Sequence, residues 1–108
     1  MQENDIFARL FEVIAQRKSQ SPETSYVAKL THRGTEAINA KITEEAQEVC
    51  QAGLEDDKAH LVYELCDLLF HAFVLAGHKD VTLDEIRSEL TRRFGTSGLT
   101  EKARRTQS

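Results

Sequence analysis

Glu45 and Glu48 stand three residues apart, and Glu64 and Asp67 repeat that spacing nineteen residues further on. Positions i and i+3 share one face of a helix, so each pair sets two carboxylates side by side. Glu45 also falls on the apolar stripe of its own segment, Ile38, Ile42, Val49 and Ala52, where burial is expected. Four carboxylates with no Lys or Arg in the same stripes repel where water is scarce, and must protonate, move apart or hold a cation. Oxygen-only ligation favours a hard cation, Mg²⁺ or Mn²⁺, over zinc. Mg²⁺ keeps several waters and commonly binds through carboxylates together with substrate phosphates. The residues alone thus point to a metal-dependent site for a phosphate-bearing ligand. The competing reading is two solvated acidic faces, because an ExxE spacing arises readily in a chain with 18 Asp and Glu.

Such a site needs two helices held side by side. Asn4–Asp5 is placed to cap a first helix with Ile6, Phe7, Leu10, Phe11 and Ile14 on one face, ending near Arg17–Lys18. A loop around Pro22 follows. Ser25 caps a short second helix through Tyr26, Val27, Leu30 and Arg33, which Gly34 stops. Thr35 opens a third helix that carries Glu45 and Glu48 as far as Gly53. Glu55-Asp56-Asp57 is a tight connection with an Asp ready as the next N-cap. The fourth helix, Lys58 to Ala76, is apolar almost all round, as a central helix is. Its polar residues, His60, Glu64, Asp67 and His71, fall in one line, and Gly77 is expected to end it. Thr82 and Glu85 form a capping box for a fifth helix with Ile86, Leu90 and Phe94 inward. No strand pattern is present. The fold expected is all-α, four to five helices around an antiparallel helical hairpin. The two acidic pairs lie symmetrically about residue 56, so a hairpin folding there brings them level.

At 108 residues the chain makes one domain, and 40% apolar with 30% charged residues is ordinary for a globular protein. No apolar run approaches ~18 residues and the start lacks a secretory signal, so a cytoplasmic protein without a membrane span is expected. Cys50 and Cys66 sit in apolar helical stretches without CxxC spacing, and read as buried free thiols rather than a disulfide or zinc site. The net charge of −4 divides unevenly: residues 1–85 hold 8 Lys/Arg against 16 Asp/Glu, residues 86–108 hold 6 against 2. That separates an acidic helical body, 1–96, from a basic tail, 97–108. The tail has no aromatic residues for stacking bases, so an anionic small molecule suits it better than nucleic acid.

Glu44-Glu45-x-x-Glu48, fifteen residues, then Glu64-x-x-Asp67 resembles the signature of the all-α nucleoside triphosphate pyrophosphatases. Within that superfamily the chain resembles the phosphoribosyl-ATP pyrophosphohydrolase family. Ser25-Tyr26-Val27-Ala28-Lys29-Leu30, Lys41-Ile42-Thr43-Glu44-Glu45-Ala46, Glu64 to His71 and the ending Ser97-Gly98-Leu99-Thr100-Glu101-Lys102 carry the likeness. Val27, Thr43 and Phe70 stand where the family often has Thr, Gly and Tyr. The resemblance implies Mg²⁺-dependent hydrolysis of phosphoribosyl-ATP to phosphoribosyl-AMP and pyrophosphate, the second step of histidine biosynthesis, by a homodimer or larger assembly that completes the helical bundle. It assigns Glu45, Glu48, Glu64 and Asp67 to the metal. Glu44 is expected to orient or deprotonate the attacking water, or only to support the site from solvent. Lys29 and Lys41 are candidates for phosphate contact. His71 is either a hydrogen-bond partner of a metal ligand or a satisfied core histidine. Lys102 and Arg104 are expected to close over the triphosphate, the tail ordering as substrate binds. Two alternatives stand beside this reading: a housecleaning nucleotide pyrophosphatase with another base pocket, and a non-enzymatic helical dimerisation module. The Ser-Gly-x-x-Glu-Lys ending favours the first family, and Glu45 on an apolar stripe argues against the module.

Overall fold

In the computed structural model, residues 5–95, 102 and 105 are described, and residues 5–95 form five helices. Four of them begin where a side chain supplies a partner for free N–H groups, and α3 begins at a glycine without one. Asp5 accepts hydrogen bonds from the Phe7 and Ala8 amides to start α1 (Ile6–Arg17). Ser25 accepts from the Ala28 amide to start α2 (Tyr26–Arg33). Gly34, at φ +99°, both ends α2 and begins α3 (Thr35–Gly53), a backbone conformation that a side chain would strain. Asp57 caps α4 (Lys58–His78) through the His60 amide. Thr82 and Glu85 form the expected reciprocal box at α5 (Leu83–Phe94). Among the described residues there is no strand.

The core is Ile14, Val27, Leu30, Ile38 and Val74, one set of side chains drawn from α1, α2, α3 and α4. Leu10, Ile42, Phe70, Phe73 and Leu75 pack around it. The most extensive helix contact is α3 with α4, across the connection at residues 54–57. α1 and α2 also lie against α4, so α4 touches three neighbours.

Four expectations are corrected, the first in α5: Leu90 and Phe94, expected inward with Ile86, are exposed at 49% and 85%, because α5 packs only lightly, against α1, and buries no residue fully. α4 passes through Gly77 rather than stopping there, because the missing Cβ lets α1 approach: a Cβ on Gly77 would lie 3.0 Å from Cγ2 of buried Ile14. Lys18 locks that approach by donating to the Gly77 carbonyl at 2.8 Å. Ile6 and Phe7 are not inward residues, since Ile14 alone of α1 is buried; Phe7 only leans edge-on against Phe73. The cysteines are exposed rather than buried. Cys66 shares an open side of α4 with Val62, Leu65 and Leu69, all exposed.

The radius of gyration is 16.0 Å, against about 13 Å for a compact chain of this length. α4 is also long and apolar enough to cross a membrane, with a mean hydropathy of 1.5 over its best window. It also carries buried Glu64 and His71 and packs against three other helices.

Candidate metal centre

α3 presents Glu45 and Glu48 toward α4, and α4 presents Glu64 toward α3. One carboxylate oxygen from each lies within 4.8 Å of the others. Glu45 and Glu64 are buried, at 6% and 9% exposure, because their positions belong to the interhelical face. Oε1 of each is buried without any hydrogen-bond partner. A carboxylate taken from water with an oxygen unsatisfied is costly unless something positive meets it. Burial pushes the Glu45 carboxyl above its ordinary range, helped by the neighbouring Glu48 carboxyl and then by Asp67, while Lys41 opposes. Two orphaned oxygens on the residues of an all-oxygen cluster fit a hard divalent cation.

Asp67 does not join the three converging carboxylates. It stays close enough for its charge to act on Glu45. Its place one turn after Glu64 makes it the border of the cluster rather than its centre.

The stripes are not free of cations, contrary to expectation. Lys41, one turn before Glu45, places Nζ 2.9 Å from Glu44 and 3.7 Å from Glu45 Oε2. Glu44 is exposed and bound to that lysine, and its carboxylate is not part of the cluster. His60 bridges two carboxylates, with Nδ1 2.8 Å from Glu55 and Nε2 3.1 Å from Glu64. Those bonds, Glu55 first, raise its pKa above the usual histidine value.

His71 is buried with both ring nitrogens engaged. Nδ1 lies 2.8 Å from the Asp67 main-chain oxygen, and Nε2 lies 2.8 Å from the Tyr26 hydroxyl. Its bond to the acidic helix is to the backbone of Asp67, not to the carboxylate. Lys29 and Lys102 are exposed. Arg104, the other residues of the Ser-Gly-x-x-Glu-Lys ending, and the boundary at residue 96 lie outside the described residues.

Tyr26 is the residue that sequence reasoning missed. Burial raises its hydroxyl's pKa, with the charges of Lys41, Glu45, Glu44 and Asp67 acting on it in that order. From α2 it is joined through His71 to the turn of α4 that carries Asp67. The available signal was a large aromatic directly after a helix cap, in a motif already singled out for its lysine.

A family model described as phosphoribosyl-ATP pyrophosphohydrolase matches residues 7–94. A protein of Neisseria gonorrhoeae named phosphoribosyl-ATP pyrophosphatase is 46% identical over 97% of this chain and 98% of its own length. Proteins with the same name from Geobacter sulfurreducens and Trichlorobacter lovleyi are each 48% identical, the first over 96% of both chains and the second over 93% of both.

Proposed function

The chain belongs to the phosphoribosyl-ATP pyrophosphohydrolase family, and from that premise we propose that it hydrolyses phosphoribosyl-ATP between the α- and β-phosphates, giving phosphoribosyl-AMP and pyrophosphate in histidine biosynthesis. The observation that carries the site is the pair of partnerless buried oxygens, Glu45 Oε1 and Glu64 Oε1, within a convergence of three carboxylates.

Glu45, Glu48 and Glu64 would hold Mg²⁺, with Asp67 completing the set from the next turn of α4; Mn²⁺ suits the same oxygens. The bound cation would neutralise phosphate charge and the charge that builds on departing pyrophosphate. The protein's own work is positioning. The α3–α4 contact holds the carboxylates at a fixed spacing, so no helix has to move to gather them. Glu44 is assigned to orienting the attacking water, its carboxylate steadied by Lys41 at 2.9 Å. Lys41 then turns from the carboxylates toward phosphate when substrate charge arrives, with Lys29, Lys102 and Arg104 as further phosphate contacts. A second copy of the chain, packed antiparallel-hairpin to hairpin across the open side of α4, would bury Val62, Leu65 and Leu69 and complete the walls of the pocket.

The test is a substrate panel scored for pyrophosphate, with phosphoribosyl-ATP beside canonical and modified nucleoside triphosphates. Phosphoribosyl-ATP is expected to be preferred, with pyrophosphate released in step with phosphoribosyl-AMP. Preference for a deoxynucleotide, or release of orthophosphate alone, contradicts the proposal.

A further inference from the structure

Surface tyrosines ordinarily bury the ring and leave the hydroxyl in water. Tyr26 is arranged the other way. The residue is 46% exposed, yet its hydroxyl is within 2.8 Å of Nε2 of His71, which is only 5% exposed. The polar tip points inward and ring surface is left outside.

The ring is also held. The Asp67 main-chain oxygen only accepts, so His71 Nδ1 carries the proton of that 2.8 Å bond. In the neutral imidazole Nε2 is then the acceptor, and the Tyr26 O–H donates to it. The hydroxyl has one proton, and that bond uses it. Phe70 lies nearly parallel to the Tyr26 ring at 6.3 Å and 19° between planes, while His71 meets it edge-on at 5.7 Å and 87°. Phe70 and His71 meet edge-on in turn, at 5.2 Å. Three rings from α2 and α4 thus form one unit, tied through His71 to the same turn of α4 that carries Asp67. A pre-oriented aromatic surface loses little freedom when a flat ligand stacks on it.

We propose that Tyr26 is the base platform of the nucleotide site, receiving the adenine ring on its exposed surface while the phosphates lie at the carboxylates. The proposal rests on the function given above for the choice of an adenine nucleotide, and extends it to the part of the substrate that the acidic cluster does not touch. Tyr26 is tied through His71 to the turn of α4 that carries Asp67, so one nucleotide would reach from its ring to the carboxylates. Stacking reads the flat face of a base and leaves the polar edge to other contacts, so this platform selects for a base without by itself selecting which one.

The experiment compares AMP with ribose 5-phosphate, which lacks the base, by titration calorimetry on the wild-type chain and on Tyr26→Leu and Tyr26→Phe. Wild type is expected to bind AMP at least about tenfold more tightly than ribose 5-phosphate, within the range that base–aromatic stacking provides. Tyr26→Leu should lose roughly tenfold of AMP affinity with ribose 5-phosphate binding unchanged, and Tyr26→Phe should stay within about threefold of wild type. The upward shift in unfolding temperature on adding Mg²⁺, kept in both variants, reports an intact fold and cluster. No AMP binding by wild type, equal AMP binding by Tyr26→Leu, or equal loss in Leu and Phe variants overturns the platform. So does a change of oligomeric state in Tyr26→Leu, which would place the ring between copies of the chain. Turnover is not needed for this readout, so a wild type that binds AMP through Tyr26 yet releases no pyrophosphate from phosphoribosyl-ATP contradicts the function and leaves the platform standing.

Discussion

Glu45 is the residue where the account is most exposed to test. It was legible beforehand as a carboxylate on an apolar stripe, and it is buried with one oxygen unsatisfied. Lys41 was misjudged, because a stripe drawn from apolar positions passes over a lysine one turn away that reaches the same carboxylate. Of the two fates considered for His71, the structure has the satisfied core histidine, its two ring nitrogens bonded to the Asp67 main-chain oxygen and the Tyr26 hydroxyl. Tyr26 was not legible because the direction of its hydroxyl depends on a histidine 45 residues away. Two predictions belong at this scale. Glu45→Gln and Asp67→Asn should each lower turnover by more than about 100-fold, beyond the loss seen when a residue merely supports a ligand, with far-UV circular dichroism unchanged. Near-normal turnover in either would remove it from the metal set. The second concerns pH without metal. The folded Glu45 carboxyl titrates above its ordinary value of 4.5, so folding is favoured while it is protonated. Its contribution is fully present below the unfolded pKa and is lost as pH rises through the raised folded one. The unfolding temperature in chelator should therefore fall across that interval, and Glu45→Gln should flatten the fall. Added Mg²⁺ should restore wild type at high pH and leave Glu45→Gln where it is.

At the scale of elements, caps were the legible part. Asp5, Ser25, Asp57 and Thr82 each start a helix as their chemistry predicts, because capping is decided within three residues of chain. Helix ends and faces were less legible because they depend on distant packing. Gly77 reads as a stop and is instead the place where α1 closes on α4, and the α4 chain ends its turn only at Asp80, with φ 61°. Gly34 is the opposite case, a stop by sequence and by structure, and it fixes how α2 leads into α3. Because α2 carries Tyr26 and α3 carries Glu45, this joint sets one against the other. Its φ of +99° has open space around the missing Cβ, so Gly34→Ala should cost about 1–3 kcal/mol through backbone strain and not through a clash. Urea unfolding checks it: a lower midpoint at unchanged slope is expected, and no loss of stability would mean that the joint relaxes freely.

The whole molecule is an all-α subunit whose most apolar helix is half open. An almost wholly apolar α4 was read as central, and it is central to the subunit on one side only. On the other side Val62, Leu65 and Leu69 are exposed, and the proposed second copy would cover them. Leu65→Asp with Leu69→Asp should convert a dimeric or larger wild type to monomer in sedimentation velocity, with turnover falling as the pocket loses its far wall; an unchanged sedimentation coefficient would place the interface elsewhere. Spacing and composition pointed to the convergence of Glu45, Glu48 and Glu64, and the substrate entered only through likeness to relatives, because a particular base leaves no such signature in carboxylates. The most direct test of the central claim is pyrophosphate released from phosphoribosyl-ATP by wild type and Glu45→Gln, each with Mg²⁺ and with chelator. Stoichiometric pyrophosphate and phosphoribosyl-AMP from wild type with Mg²⁺ alone is the result predicted; equal release in chelator, or by Glu45→Gln, would contradict it.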